Sequence, residues 1–278
     1  DGNIKFSNLW LNEERIDSLL LKYVVLDKDF TFKTEDNNKL KLSGNILFSK
    51  YPKITFKDVL LDYEKQHYDL NGSILSDAID ISMSGKKLDL ATLTSLFNFP
   101  INVTGGLDFN LKAEGKISDP VINLNINSSN GSAYNVPFDL CDIAIDVKNN
   151  NLTIDKFNIK KSGKYSIVAD GFFPFWLDSK LKKEMMNKDV NVNYKLNDNN
   201  LYILKNLANN TITAKEGFLK IDGKLTGIRK NISNIGKLSM EGTNIKTESY
   251  VNKIKDLNID ITWDNNLFTI QKAEAKAG

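Results

Sequence analysis

The sequence has little of what most catalytic and metal sites are built from. It contains one cysteine and one histidine in 278 residues, so it offers neither an internal disulfide nor a zinc site with several Cys or His ligands. His67 lies in the strand-like segment YEKQHYDL, and we interpret it as a surface residue. Cys141 is followed by the acidic Asp142, and we interpret it as a small buried apolar side chain and not as a reactive thiol.

Short catalytic motifs are also missing. The chain has no Gly-rich phosphate loop, no nucleophile elbow and no Cys pair. Asp and Glu are abundant, but no spacing singles out two carboxylates for glycoside hydrolysis. We therefore predict a protein that is not an enzyme and uses neither a cofactor nor a metal.

Charge and hydropathy exclude further classes. The 37 basic and 35 acidic residues give a net charge of +2 and are interleaved along the chain, whereas a nucleic-acid surface needs a clustered basic patch. We expect no nucleic-acid partner. The longest apolar stretch, LLLKYVVL at residues 19–26, is too short for a membrane-spanning helix. Because the sequence opens with DGNIKFSNLW and no initiator Met, we expect it to be part of a longer protein.

What the chain does have is alternation of apolar and polar residues. Segments such as KLKLSGNILF, GLDFNLKAEG and VINLNINSS place apolar side chains at every second position, with Asp, Asn, Lys or Ser between them. This period predicts strands with one apolar and one polar face. Clusters such as SSNGS and KNNN predict turns between them. We therefore predict an all-β fold: a long antiparallel meander of about twenty strands.

The apolar positions of this pattern are the candidate functional residues, because together they would form one continuous surface. They are Leu40, Leu42, Ile46, Ile79, Ile81, Met83, Leu107, Phe109, Leu111, Ile122, Leu124, Ile126, Ile143, Ile145, Val147, Tyr165, Ile167, Val190, Val192, Tyr194, Leu257, Ile259, Ile261 and Trp263.

Two segments depart from the alternation. LDLATLTSLF places Leu90, Leu93 and Leu96 three residues apart, which predicts one or two helical turns. The segment WLDSKLKKEMMNKD, residues 176–189, is compatible with a second helical insertion or a loop.

The pattern also repeats over a long period. DIAIDVKNNNLTI at residues 142–154 returns as DLNIDITWDNNLFTI at residues 256–270. Gly106 precedes Gly217 by 111 residues, and Leu90 precedes Leu201 by the same 111. We interpret the chain as one elongated repeat segment with a partial unit at 1–87, a complete unit at 88–198 and a partial unit at 199–278.

The repeat includes aspartates at matching positions. Asp142 and Asp146 correspond to Asp256 and Asp260, and all four fall on the polar side of their strands. Calcium binding is one interpretation of these residues. Solubility and protection of the sheet against unwanted pairing is the interpretation we favour.

The order of these weak motifs resembles the repeat of the TamB/AsmA-like family. The resemblance rests on LDLATLTSLF, then GGLDFNLKAEGKISDPVINLNIN with Gly115, Ile117 and Pro120, then a strand pair that ends at Gly171. It covers nearly the whole chain and is best between residues 70 and 175. The last unit departs from it, because GIRKNISNIG lacks the expected Pro.

The resemblance implies a bridge-like lipid-transfer protein of the bacterial envelope. Members of that family are anchored in the inner membrane and cross the periplasm as a long β structure curled into an open trough. The implied partners are phospholipid acyl chains, neighbouring repeats of the same chain and the inner membrane. An outer-membrane barrel protein is a further implied partner, through a role in outer-membrane protein assembly.

Two alternatives remain open at the level of sequence. Alternating apolar residues also form the core of a closed sandwich or barrel. A surface adhesin built from β repeats, which binds partners through its loops and carries no lipid, is the corresponding function. An uncovered face would instead exceed the few hundred Å² of apolar surface that soluble monomers usually expose.

Overall fold

The computed structural model describes residues 1–11, 14–35, 40–48, 53–63, 66–90, 103–208, 211–247 and 254–277. These residues form eighteen strands and three short helical segments. In chain order they are β1 (Gly2–Leu11), β2 (Glu14–Leu26), β3 (Asp29–Thr34), β4 (Leu40–Phe48), β5 (Ile54–Tyr63), β6 (Gln66–Ile74), β7 (Ala78–Asp89), β8 (Val103–Lys116), β9 (Asp119–Ala133), β10 (Val136–Lys148), β11 (Asn151–Lys161), β12 (Tyr165–Pro174), a 3-10 turn (Ser179–Leu181), α1 (Lys182–Met185), β13 (Asp189–Asn199), α2 (Tyr202–Leu207), β14 (Ile212–Thr213), β15 (Glu216–Ile228), β16 (Asn231–Thr247), β17 (Ile254–Asp264) and β18 (Leu267–Ala277).

The strands form one antiparallel sheet in sequence order. Each strand pairs with the strand before it and the strand after it, except that β13 pairs directly with β15 while the two-residue β14 pairs with β16. Strands β1 and β18 are the two edges of the sheet and do not pair with each other. The predicted all-β antiparallel meander is therefore confirmed, and the sheet is open.

Asn residues at positive φ make the tight turns. Asn149 and Asn150 both have φ of 52° between β10 and β11, as a two-residue type I′ hairpin requires. The cluster SSNGS, however, does not lie between strands, because residues 128–132 fall inside β9. There Asn130 has φ of 56°, close to the point where the pairing of β8 and β9 shifts register. The cluster marks a bulge, which demands the same backbone conformation as a turn.

Of the two predicted helical segments, the structure describes the second in full and only the beginning of the first. WLDSKLKKEMMNKD forms the 3-10 turn and α1. The segment that the repeat aligns with LDLATLTSLF forms α2. A helix begins at Leu90, whereas Leu93 and Leu96 lie outside the described residues.

Fully buried side chains are few and fall into small clusters. One cluster contains Leu19, Leu40 and Tyr63, from the first strands of the sheet. The second joins β10, β12 and α2, and the third joins α2, β15 and β16. Each cluster involves strands that are near neighbours in the sheet, so the fold has no single central core among its described residues.

Candidate functional site

The strand register places the predicted apolar residues on one face of the sheet. Met83 of β7 lies opposite Leu111 of β8, Leu111 opposite Leu124 of β9, and Leu124 opposite Ile145 of β10. Ile145 in turn lies opposite Ile154 of β11. Directly opposite residues point to the same side of a sheet, so this row is a continuous apolar stripe across five strands.

The other predicted residues extend this surface in both directions, and we call it the apolar face. Their opposite partners are Tyr63 for Leu40, Leu61 for Leu42, Phe56 for Ile46, Ile74 for Ile79, Ala113 for Ile81, Leu88 for Leu107, Ile126 for Phe109, Val147 for Ile122, Phe157 for Ile143, Asp198 for Tyr165, Leu196 for Ile167, Gly227 for Val190, Leu225 for Val192, Gly223 for Tyr194, Gly242 for Leu257, Met240 for Ile259, Leu238 for Ile261 and Gly236 for Trp263.

Most of the apolar face keeps part of its surface in water. Leu40, Leu107, Val147, Tyr165, Val190 and Val192 are buried, whereas the other predicted residues are half-buried. The described residues supply no second sheet to lie over them, and their helices are only three to six residues long. The described part of the apolar face is therefore a wide, half-buried apolar surface.

One rim of the apolar face is covered by α2. Leu201, which precedes the helix, packs with Leu219 and Ile245, and a Cβ added at Gly242 would lie 3.2 Å from its Cδ1 atom. Ile203 of the helix packs with the cluster around Tyr165. We call this side of the sheet the helix rim.

The opposite ends of the same strands form a second rim, which we call the turn rim. In the first half of the sheet its apolar side chains are the most exposed. Val25 is 48% exposed and Phe48 is 47% exposed, while Leu19 and Leu40 at the helix rim are 4% and 5% exposed. In this half of the sheet, the apolar face is thus buried at the helix rim and more exposed at the turn rim.

A single amide interrupts the apolar face near its C-terminal edge. Asn234 Oδ1 accepts hydrogen bonds from the hydroxyl of Tyr194 at 2.7 Å and from Nε1 of Trp263 at 3.2 Å. The two rings lie over Gly223 and Gly236, where an added Cβ would be 2.3 Å from each ring. Glycine leaves the space that both rings occupy, and the amide links β16 to β13 and β17.

The polar face carries the repeated aspartates. Asp142 pairs with Lys156, and Asp256 pairs with Lys276 at 3.2 Å. Asp146 accepts a hydrogen bond from the Asn123 amide at 2.5 Å. Such exposed pairs add little stability but keep this face soluble. Among the described residues, no group of three His, Cys, Asp or Glu side chains is placed to hold a metal ion.

Asp146 also has a second carboxyl, that of Asp155, beside it. A hydrogen bond that the protonated Asp155 carboxyl donates to Asp146 is the main cause that raises the pKa of Asp155, and burial and the charge of Asp146 add to it. This carboxylate pair belongs to the polar face and has no described basic neighbour in an ion pair.

The single histidine and the single cysteine lie in surroundings that are common for surface and packed residues. His67 is partly exposed, and its Nδ1 contacts the Asp62 carboxylate on the neighbouring strand. Cys141 is half-buried and packs with the cluster around Tyr165. Burial raises the pKa of the Cys141 thiol, and the charge of Asp142 adds to this effect. A protonated, packed thiol agrees with its interpretation as a small apolar side chain.

Sequence reasoning did not find the Asn234 contacts or the shielding of the helix rim. It also treated residues 176–189 as a plain insertion, although the structure gathers several lysines there. No protein-family model, curated protein or solved structure matches this chain. In the described part of the chain, none of the helices has the length and apolar character needed to cross a membrane.

Proposed function

We propose that this chain is a segment of a bridge-like protein that carries phospholipid acyl chains along the apolar face. In this proposal the sheet curls around that face as an open trough, and the longer protein spans the periplasm from an inner-membrane anchor towards the outer membrane. The observation that carries the proposal is the continuous, half-exposed apolar face. The resemblance of the sequence to the TamB/AsmA-like repeat supports the same function and extends it to a role in outer-membrane protein assembly.

The dimensions of the sheet suit transport between two membranes. Eighteen strands about 4.8 Å apart span roughly 80 Å in the direction that crosses the strands. Apolar residues continue over this whole distance, so an acyl chain would find similar surroundings at each step.

The energetics also suit movement and not tight storage. Each methylene that leaves water gains about 0.8 kcal/mol, but an acyl chain that comes from a bilayer is already dry. Transfer from the bilayer to an aliphatic face therefore has a small free-energy change, and no deep well holds the lipid at one position. The direction of movement would be set by a lipid gradient or by other proteins.

The competing function is a β-repeat adhesin that binds proteins through its loops. Its closed form requires the apolar residues to be sealed between two layers or inside a barrel. The open sheet of the described residues does not provide that seal, so we favour lipid transport.

Photo-crosslinking from single positions tests the proposed function. A photoreactive amino acid at Leu111, Ile145 or Ile259, on the apolar face, should crosslink to labelled phospholipid during incubation with vesicles. The same group at Asp146 or Asn258, on the polar face of the same strands, should give a signal no higher than background.

The matched positions give this experiment its control, because Ile145 and Asp146 share a strand and differ only in the side to which they point. Equal labelling of both faces would indicate non-specific contact with vesicles. Absence of lipid labelling from the apolar face would overturn the proposed function in favour of a protein partner.

A further inference from the structure

A group of lysines converges at the turn rim, in the insertion that joins β12 to β13. Lys180, Lys182 and Lys183 come from the 3-10 turn and α1, and Lys230 comes from the turn between β15 and β16. Together with Ser179, Met186 and Asn187 they line a cavity of about 570 Å³. We call this cavity the lysine pocket.

The positive charge of the lysine pocket is not neutralised by described residues. Glu184 pairs with Lys188 at 3.4 Å, and the carboxylate of Asp178 accepts the backbone N–H of Lys180 at 2.9 Å. None of the four ammonium groups forms an ion pair with a described carboxylate. The pocket therefore has an excess of positive charge, in a chain whose overall net charge is only +2.

The insertion is held in place by the β15–β16 turn. The backbone N–H of Arg229 donates to the carbonyl of Lys188 at 2.9 Å, and that of Lys230 donates to the carbonyl of Met186 at 3.0 Å. The Arg229 guanidinium lies 4.9 Å from the centre of the Trp176 ring. Because these contacts already order the backbone around the pocket, an anion that binds there pays less for ordering it.

The lysine pocket is also next to the apolar face. Ile232, two residues after Lys230, is 38% exposed. It lies opposite Gly227, which in turn lies opposite Val190 of the apolar face. Met185 of the insertion is buried, while Leu177 is 46% exposed. A ligand with a charged end and an apolar end could therefore place one end at the lysines and the other on the sheet.

We propose that the lysine pocket binds the phosphate-bearing headgroup of an anionic phospholipid whose acyl chains lie on the apolar face. This inference rests on the proposed function and adds a headgroup preference to it. Lysine ammonium groups bind phosphate as point charges. An anionic headgroup fits better than a zwitterionic one, because the pocket lining contains no carboxylate to receive a choline or ethanolamine cation.

Binding of short-chain lipids tests this inference in the intact 278-residue chain. Dihexanoyl phosphatidylglycerol, kept below its micelle concentration, is titrated into the protein and into the double variant Lys182→Gln/Lys183→Gln by calorimetry. The variant should bind this lipid at least about tenfold more weakly, because two charge-assisted contacts are lost. Its affinity for dihexanoyl phosphatidylcholine should not change.

The matched control is Lys116→Gln/Lys148→Gln, which removes the same charge from exposed lysines at the ends of β8 and β10, on the same rim. This control should keep the affinity of the unmodified protein. Equal weakening in both double variants, or no weakening in either, would overturn the lysine pocket as a headgroup site.

Two further measurements are needed. One distinguishes a lipid headgroup from free phosphate, and the other distinguishes failure of the lysine pocket from failure of the proposed function. If inorganic phosphate binds as tightly as the lipid, the pocket is a site for free anions and the inference is overturned. If the unmodified protein binds phosphatidylglycerol no more tightly than phosphatidylcholine while lipid still crosslinks at Leu111, the pocket alone is overturned. Absence of that crosslinking overturns the proposed function, and this inference falls with it.

Discussion

At the scale of single residues, Asn234 is a polar residue of the apolar face on which two aromatic side chains depend. Its side-chain oxygen is the acceptor for both the Tyr194 hydroxyl and the Trp263 indole. Both donors are half-buried, so water reaches them only in part. If the acceptor is removed, water can replace the hydrogen bond of a half-buried donor only in part, and the folded protein loses stability.

We expect Asn234→Leu to lower the free energy of unfolding by about 1–3 kcal/mol, although leucine fits the apolar pattern better. Urea denaturation measures this change. Tyr194→Phe should destabilise the unmodified protein by about 1 kcal/mol and have almost no effect when Asn234 is already replaced. Additive effects of the two substitutions would show that the hydrogen bond contributes nothing. Asn125→Leu, on the exposed polar face, is the control and should change stability by less than about 0.5 kcal/mol.

At the scale of secondary-structure elements, α2 depends on a buried carboxylate. Asp198 is 1% exposed and accepts the N–H groups of Tyr202 and Ile203, both at 2.8 Å. These bonds satisfy donors that the first turn of any helix leaves free. Burial nevertheless raises the pKa of Asp198, and the backbone hydrogen bonds offset this only in part.

The raised pKa of Asp198 predicts the sign of a pH effect. The folded protein holds the Asp198 proton more tightly than the unfolded chain does, so the contribution to stability is largest below the unfolded pKa and falls as pH rises through the folded pKa. The difference in unfolding free energy between the unmodified protein and Asp198→Asn should therefore decrease as the pH rises above about 4. Chemical denaturation at several pH values measures it. An increase with pH would mean that the helix N–H groups outweigh burial.

The elements also show what the sequence could and could not predict. Alternation predicted the strands and the side of each strand on which an apolar residue lies, because that period follows from strand geometry alone. The helix at Tyr202 lies in the segment that the repeat aligns with the predicted helical turns at Leu90. The cluster SSNGS was wrongly assigned to a turn, since Asn at positive φ serves bulges and turns equally. The Asn234 contacts depend on register between residues 29 and 40 positions apart, which no local pattern contains.

At the scale of the whole molecule, the two edges of the sheet are exposed. The last strand, β18, presents Leu267 at 70%, Phe268 at 66% and Ile270 at 66% exposure. Its outer backbone groups have no partner strand in the described sheet. An uncovered apolar edge is a template for another strand.

We expect the 278-residue chain to self-associate through β18, and Ile270→Lys to weaken this association because a charge on an edge strand opposes pairing. Sedimentation velocity over a range of protein concentrations should show a shift towards the monomer in the variant. Val168→Lys places the same charge at a 38% exposed position inside the sheet, on β12, and should leave association unchanged. A self-association that Ile270→Lys does not alter would place the contact elsewhere.

The order of the strands has a consequence for how the molecule forms. Because nearly every strand pairs with its immediate neighbours in the sequence, no strand waits for a distant partner, and loop closure costs little at each step. The sheet can grow by one hairpin at a time from whichever end emerges first. A chain delivered gradually through a narrow opening can therefore fold in order of arrival, with its newest strand as the growing edge.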